Sequence, residues 1–201
     1  MIKKKYNIDE VFWVADTHFF HTNIIDYCNR PFSCVEEMNE VLITNWNKVV
    51  DKDKTVVING DFAFTGNLEV IKGLLDRLNG NKVLVQGNHC KKNKFNRDSV
   101  KALFNGDVYD QLEIIIKDDN TYNGSQLIFN SHYPNVIWPS SHNGSFHCFG
   151  HVHSRPNNTA SDADLMKKYY DLNLRSYDVG VDNNDFTPIS YLELRKKILN
   201  F

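Results

Sequence analysis

The chain has no C-x-x-C pair; its four cysteines, Cys28, Cys34, Cys90 and Cys148, are scattered over 201 residues. Zinc-ribbon and dithiol redox motifs need that close spacing, so both are excluded. Long apolar runs are missing too. The longest, Val11–Ala15 among them, are about five residues, far below the ~18 that a membrane-spanning helix requires. The first residues, Met1-Ile-Lys-Lys-Lys-Tyr-Asn7, carry basic charge without the apolar stretch that a secretory signal places behind it. Reduced thiols and a cytoplasmic location are therefore expected, with no membrane as partner. Proline is scarce, at five copies, while aromatics reach 12%, a balance that opposes disorder. Charge of one sign is lacking: 23 Lys plus Arg face 25 Asp plus Glu, a net charge of −2, so no bulk positive field draws nucleic acid. What is plentiful is Asn, at 25 copies, and His, at eight.

A chain of this length buries roughly 70% of its unfolded surface, enough for one sizeable core. No repeat, low-complexity tract or linker interrupts it, so a single domain over 1–201 is expected. Val11–Ala15, Thr55–Ile58 and Lys82–Val85 read as short buried strands. Between them, Ser33-Cys-Val-Glu36 reads as a capping box for a helix reaching Val50. Asn67–Leu78 has helical apolar spacing, closed by Asn79-Gly80. This alternation over residues 10–104 predicts βαβ units and a parallel sheet. The second half changes character. Leu112–Lys117 and Leu127–Asn130 read as a hairpin around Asn123-Gly124, with further strands at Phe146–Phe149 and Tyr177–Val181. Residues 154–175 read as an irregular loop with one helical stretch near Asp162–Tyr170. Pro188-Ile-Ser190 introduces a last helix packing through Leu192, Leu194 and Ile198.

Each of these strands ends in residues of metal-ligand type, and in open α/β sheets ligands bind at the carboxyl ends of strands. The blocks are Asp16-Thr-His18, Gly60-Asp61, Gly87-Asn88-His89, Asn130-Ser-His132 and Gly150-His-Val-His153, which hold five of the eight histidines. A Gly-Asp pair alone means little. In this composition, however, chance gives only about 0.02 matches to Gly-His-x-His and about 0.05 to Gly-Asn-His. Hydrolysing a phosphoester needs an activated water and neutralised phosphoryl oxygens, which two cations ~3.5–4 Å apart supply when a carboxylate bridges them. Asp61 is the natural bridge, and the x-spacing of His151 and His153 puts both on one side of a strand. Nitrogen and oxygen donors without thiolate suit manganese, iron, zinc or nickel.

The ordered blocks resemble the calcineurin-like metallophosphoesterase family, whose pattern is D-x-H, G-D, G-N-H-[DE], a lone His, then G-H-x-H. The resemblance runs from Ala15-Asp-Thr-His18 to Val179-Gly-Val-Asp182. It is closest to the small single-domain phosphohydrolases of bacteria and phages, through His18-Phe-Phe-His-Thr-Asn-Ile-Ile25, Asn29-Arg-Pro-Phe32, Gly60-Asp-Phe-Ala-Phe64 and Phe149-Gly-His-Val-His153. It implies an α/β fold of two stacked mixed β-sheets flanked by helices, a four-layer α/β/β/α sandwich. It places Asp16, His18, Asp61 and His153 on one metal and Asp61, Asn88, His132 and His151 on a second, with His89 over the substrate phosphate as general acid or electrostatic stabiliser. Two departures stand out. Cys90 replaces the acid that usually follows Gly-Asn-His, and Gly60-Asp-Phe-Ala-Phe-Thr-Gly66 lacks the second Asp and the Arg of the protein-phosphatase block.

The expected function is a dinuclear metal-dependent phosphoesterase using a metal-bridging hydroxide and two divalent ions, manganese first, with iron, zinc or nickel as alternatives. A phosphodiester of nucleotide or nucleic-acid type is the expected substrate, and no obligate protein partner is implied. Phosphomonoesterase activity, a non-catalytic metal-binding scaffold and a nucleic-acid-binding module are the competing readings. His21, Arg30 and His142 are the candidate substrate contacts, each with an ordinary surface, salt-bridge or loop role as its alternative. Lys91-Lys-Asn-Lys94 either favours a polyanion or is a solvated run. Cys28, Cys34 and Cys148 read as small apolar fillers.

Overall fold

The computed structural model describes residues 3–89, 97–153, 168–169, 172 and 174–199. In chain order its strands and α-helices are β1 (Lys3–Asn7), β2 (Val11–Val14), α1 (Ile24–Tyr27), α2 (Val35–Val49), β3 (Thr55–Asn59), α3 (Leu68–Arg77), β4 (Asn81–Val85), α4 (Arg97–Leu103), β5 (Val108–Tyr109), β6 (Leu112–Lys117), β7 (Ser125–Asn130), β8 (Phe146–Phe149), β9 (Ser176–Asp178), β10 (Ile189–Ser190) and α5 (Tyr191–Leu199). They form two mixed five-stranded sheets flanked by helices. One has the order β10-β2-β3-β4-β5, with β2 to β5 parallel and β10 antiparallel on the edge. The other has the order β1-β6-β7-β8-β9, in which the β6–β7 pair is antiparallel and the others parallel.

The twofold alternation of strand side chains divides the interior into two cores. Val11, Trp13, Val57, Val83 and Val85 face the second sheet, where they meet Leu112, Ile114, Ile128, Phe146 and Cys148. Their neighbours Phe12, Val14, Val56, Ile58 and Leu84 face α2 and α3 and pack on Met38, Leu42, Trp46, Ile71 and Leu74. A strand buried on both faces must be apolar at nearly every position, which explains the short unbroken runs of the first half. On the far side of the second sheet, Phe149 packs against the ring of Tyr169, 5.6 Å away. Apart from Lys168 and Tyr169, the expected helical stretch at Asp162–Tyr170 lies outside the described residues, except that its end is flanked by the described Leu172.

Two features tie the sheets together near the carboxyl ends of their strands. Trp13 Nε1 donates to Asn130 Oδ1 at 2.8 Å, and Asn130 Nδ2 in turn donates to the carbonyls of Leu112 and Ile128. Past the end of β2, the amide of Ala15 donates to Val179 O, and that of Val181 donates to Ala15 O.

Several boundaries differ from the sequence reading. The first capping box does not form: Cys34 occupies the N-cap position of α2 without a side-chain capping bond, and Ser33 hydrogen-bonds Glu37 through both its amide and its hydroxyl. Ser190 and Glu193 form the reciprocal box at α5 instead. The hairpin turn is longer than Asn123-Gly124, closing from Asp118 N to Gly124 O. Strand β9 stops at Asp178, before the expected Val181. On α5, Tyr191, Leu194 and Ile198 are buried while Leu192 is 51% exposed, because positions 191, 194 and 198 share one helical face.

His147 is fully buried in β8. Its Nδ1–H donates to Phe129 O at 3.2 Å, and its Nε2 accepts from the amide of Asn135 at 3.1 Å, so the neutral ring serves the loop that follows His132. Burial pushes its pKa down to about 4. The unfolded chain takes up this proton first, so the contribution is complete above about pH 6.5 and is lost as pH falls toward 4, at most about 3 kcal/mol. Thermal unfolding of wild type and His147→Gln between pH 7.5 and 4.5 checks this. The stability gap between the two should shrink or reverse on acidification, and a constant gap would count against it.

Candidate metal centre

The candidate ligands lie just past the carboxyl ends of β2, β3, β4, β7 and β8. Parallel pairing continues beyond the strands: Asp16 N donates to Gly60 O, His18 N to Asp61 O and Phe19 N to Phe62 O, at 3.0–3.1 Å. Along this extension Asp16, His18, Asp61, His151 and His153 all adopt positive φ, from 46 to 75°. Each left-handed non-glycine residue costs roughly 1–2 kcal/mol, so surrounding contacts must hold five of them in place. The kinks turn side chains that would otherwise alternate across the sheet toward one point. Gly60, at φ +95°, is required here, since a Cβ would come 2.1 Å from His132 Nδ1. Gly87 is required by proximity: a Cβ there would lie 2.2 Å from Asp61 Oδ1.

Among the described residues three groups of side chains have ligand atoms close enough to hold a metal ion, and two of them consist of expected ligands. One comprises Asp16, His18 and His153, the other Asp61, His132 and His151. Asp61 faces both. Its Oδ2 is 3.4 Å from His132 Nε2, 3.8 Å from His18 Nε2 and 3.9 Å from His89 Nε2, while its Oδ1 accepts the amide of His89 at 3.0 Å. His132 Nδ1 lies 2.9 Å from the carbonyl of Asn59 and is its natural donor, while Nε2 points into the centre, 2.9 Å from Asn88 Oδ1. Asp16 Oδ2 accepts the amide of His151 at 2.7 Å, whereas Asp16 Oδ1 and His18 Nε2 are buried without a hydrogen-bond partner.

Burial and the neighbouring charges pull the groups of the pocket in opposite directions. Burial raises the Asp16 carboxyl to about 7, against the pull of His153 and His132. Burial, then the neighbouring His153 and Arg30, hold the His18 ring well below its ordinary range. For His132 burial works against the charged form, but the hydrogen bond to Asp61 and the charges of Asp16 and Asp61 prevail and raise it. Asp61 is also penalised by burial and is nonetheless lowered, chiefly by His132 and by the His89 amide.

Behind this layer sits Asp182, which the sequence reading did not single out. Its Oδ2 is 2.7 Å from His153 Nδ1. Arg30 grips the same carboxylate with both arms, Nε to Oδ1 at 2.9 Å and Nη2 to Oδ2 at 2.8 Å. Burial opposes the charge on Asp182, but His153 and Arg30 bring its carboxyl down to about 2. Such a carboxylate fixes the ring of a ligating His and leaves Nε2 as the available nitrogen. Cys28 packs against the hydrophobic core, as an apolar filler would, and also lies in one cluster with His153 and Asp182. Asp182 closes the stretch Val179-Gly-Val-Asp182 that ends the family resemblance, and Cys28 stands in no motif, so only their position gives either of them a role.

The structure separates the three expected substrate contacts. His21 is beside the centre, its Nδ1 3.3 Å from His18 Nδ1 and its ring 6.2 Å from that of His89. Arg30 is turned inward: its side chain is completely buried, and beyond Asp182 it donates to the carbonyls of Asp16 and Thr17. It acts as a strut and is not placed to clamp a phosphate. His142 is exposed on a 3-10 turn, Ser141–Asn143, ahead of the amino end of β8, whereas the centre lies past its carboxyl end. That puts it roughly 13 Å or more from the site. Cys90 and Lys91-Lys-Asn-Lys94 lie outside the described residues.

Removing one partner of a buried, hydrogen-bonded ion pair leaves the other charge unpaired. Arg30→Met should therefore lower stability by about 3–5 kcal/mol in urea unfolding, and Arg30→Met/Asp182→Asn should recover part of that loss. Equal stability of wild type and Arg30→Met would contradict this role.

No family model matches the chain. It is 49% identical to an uncharacterized protein of Methanocaldococcus jannaschii over 83 residues, 41% of this chain and 47% of that protein. Over 99 residues, 48% of this chain and 47% of the relative, it is 31% identical to the Gene 66 protein of Mycobacterium phage L5. The chain spans about half the length of the curated relatives it matches. Among solved structures, a protein of unknown function from Aquifex aeolicus is similar with a TM-score of 0.65 and 26% identity, covering 93% of this chain and 98% of that one.

Proposed function

We propose that this chain is a metal-dependent phosphoesterase with a phosphodiester of nucleotide or nucleic-acid type as its substrate. The observation that carries the reading is the convergence of two groups of buried or half-buried metal-ligating side chains, Asp16, His18 and His153 in one and Asp61, His132 and His151 in the other, with the Asp61 carboxylate within 4 Å of both His18 and His132. With Nδ1–H committed to Asn59 O, His132 Nε2 faces Asn88 Oδ1 and Asp61 Oδ2, while Asp16 Oδ1 and His18 Nε2 have no hydrogen-bond partner. Buried polar atoms left so are costly, and a cation relieves the cost at each group. Asp16, His18, Asp61 and His153 would hold one divalent ion, and Asp61, Asn88, His132 and His151 the other. The donors are nitrogen and oxygen, which fits manganese first, and iron, zinc or nickel as well. When bound, two such ions activate water and neutralise charge on the phosphoryl oxygens.

The chain's own residues do the rest. Arg30 and Asp182 fix the His153 ring, and Asn59 fixes that of His132. The side chain of His89 is 27% exposed and reaches the centre through Nε2, where it can protonate a departing ester oxygen. Since Arg30 is committed inward, it leaves the phosphate to the ions. Among the described residues, no helix is long and apolar enough to cross a membrane.

Hydrolysis of bis-p-nitrophenyl phosphate and of p-nitrophenyl phosphate, with Mn²⁺ and with EDTA, tests the reading. Diester turnover should be abolished by EDTA and lowered at least about 100-fold by Asp61→Asn. Monoester preference would support a phosphomonoesterase, and bound metal without turnover a scaffold. Turnover in EDTA would sink the mechanism.

Protons compete for the same ligands. With Asp16 near 7 and His132 raised, Mn²⁺ affinity should fall as pH drops below about 7, and binding should release protons. Calorimetry in two buffers of different ionisation enthalpy measures that release; identical heats at pH 6.5 would contradict it.

A further inference from the structure

One side of the centre is walled by aromatic rings that no ligand role uses. The ring of His21 stacks on Phe64 with centroids 4.1 Å apart and planes 18° from parallel. Tyr27 stands edge-on to His21 at 6.2 Å, and Phe64 stands edge-on to His89 at 5.5 Å. Large apolar side chains are costly to leave in water, yet Phe64 is 39% and Tyr27 68% exposed. The wall is also rigidly mounted. Phe64 N donates to Phe19 O at 2.8 Å, and Phe19 and Ala63 form a β-bridge, so the extension of β2 and β3 that shapes the centre also sets the rings. With Arg30 turned inward, this rim offers π surface among the described residues.

We propose that Phe64, with His21 and Tyr27, is the specificity surface of the site: it stacks the nucleobase of a nucleoside phosphodiester whose phosphate lies beside His89. The proposal rests on the phosphoesterase reading and narrows its substrate class. A base stacked on an aromatic side chain is recognised by its flat face, with little dependence on which base it is. The rim therefore selects nucleoside esters over sugar or alkyl phosphate esters and discriminates weakly among bases.

The test compares two ligands that share a phosphate and a ribose and differ in the base. Adenosine 5′-monophosphate and ribose 5-phosphate are titrated by calorimetry into Mn²⁺-loaded wild type, Phe64→Ala and Tyr27→Ala. Wild type should favour the nucleotide by about tenfold or more, and Phe64→Ala should remove most of that preference while changing ribose 5-phosphate affinity less than about twofold. Tyr27→Ala, at an exposed position, should give a smaller loss and guards against misfolding of the first variant. Equal affinity of wild type for the two ligands, or an equal loss of both in Phe64→Ala, overturns the proposal. Turnover of bis-p-nitrophenyl phosphate by the same wild-type preparation separates the two failures. Turnover without base preference removes the rim alone, and its absence removes the phosphoesterase reading as well.

Discussion

The carboxylate of Asp61 is held from every side. Its backbone is bent to φ 48°, its Oδ1 accepts the His89 amide, its Oδ2 faces the rings of His132, His18 and His89, and Gly87 leaves just enough room beside it. Three strands and the second sheet must end in register for that to happen. If β3 slipped by one residue against β2, Asp61 would turn from the centre toward the helices, because side-chain direction alternates along a strand. The apolar residues that β2, β3 and β4 bury on both faces are what pin the register, so the core holds the site in place.

The centre is also where the fold stores its unfavourable terms. Left-handed backbone, partnerless acceptors and a carboxyl lifted to about 7 all lie within a few residues of each other. Local consistency elsewhere offsets them: reciprocal capping at α5, an Asn67 cap on α3, and a hydrogen-bonded Asn130 between the sheets. Concentrated departures from local preference mark a functional site. A bound cation would relieve several of these terms at once.

Much of the fold was legible from pattern. Buried runs of four or five residues separated by helical periodicity led to the parallel sheet, and the Leu112–Asn130 segment led to the antiparallel pair. Boundaries were less legible where two signals compete within one or two positions. Ser33 and Cys34 both precede an acidic turn, and only packing of Met38 and Leu42 sets the helix phase. On α5, Leu192 is as apolar as Leu194 yet faces water, since facing is decided by what lies opposite.

The sequence alone determined which residue types stand at each strand end. The blocks Asp16-Thr-His18, Gly60-Asp61, Gly87-Asn88-His89, Asn130-Ser-His132 and Gly150-His-Val-His153 are local, and spacing along a chain is enough to display them. Only the tertiary structure decided what those blocks share. It moved Arg30 from a phosphate clamp to a buried strut under Asp182, sent His142 past the opposite end of β8, and brought Phe64 against His21. Each outcome depends on a partner dozens of residues away, and one-dimensional spacing carries no record of which distant side chain occupies the facing position.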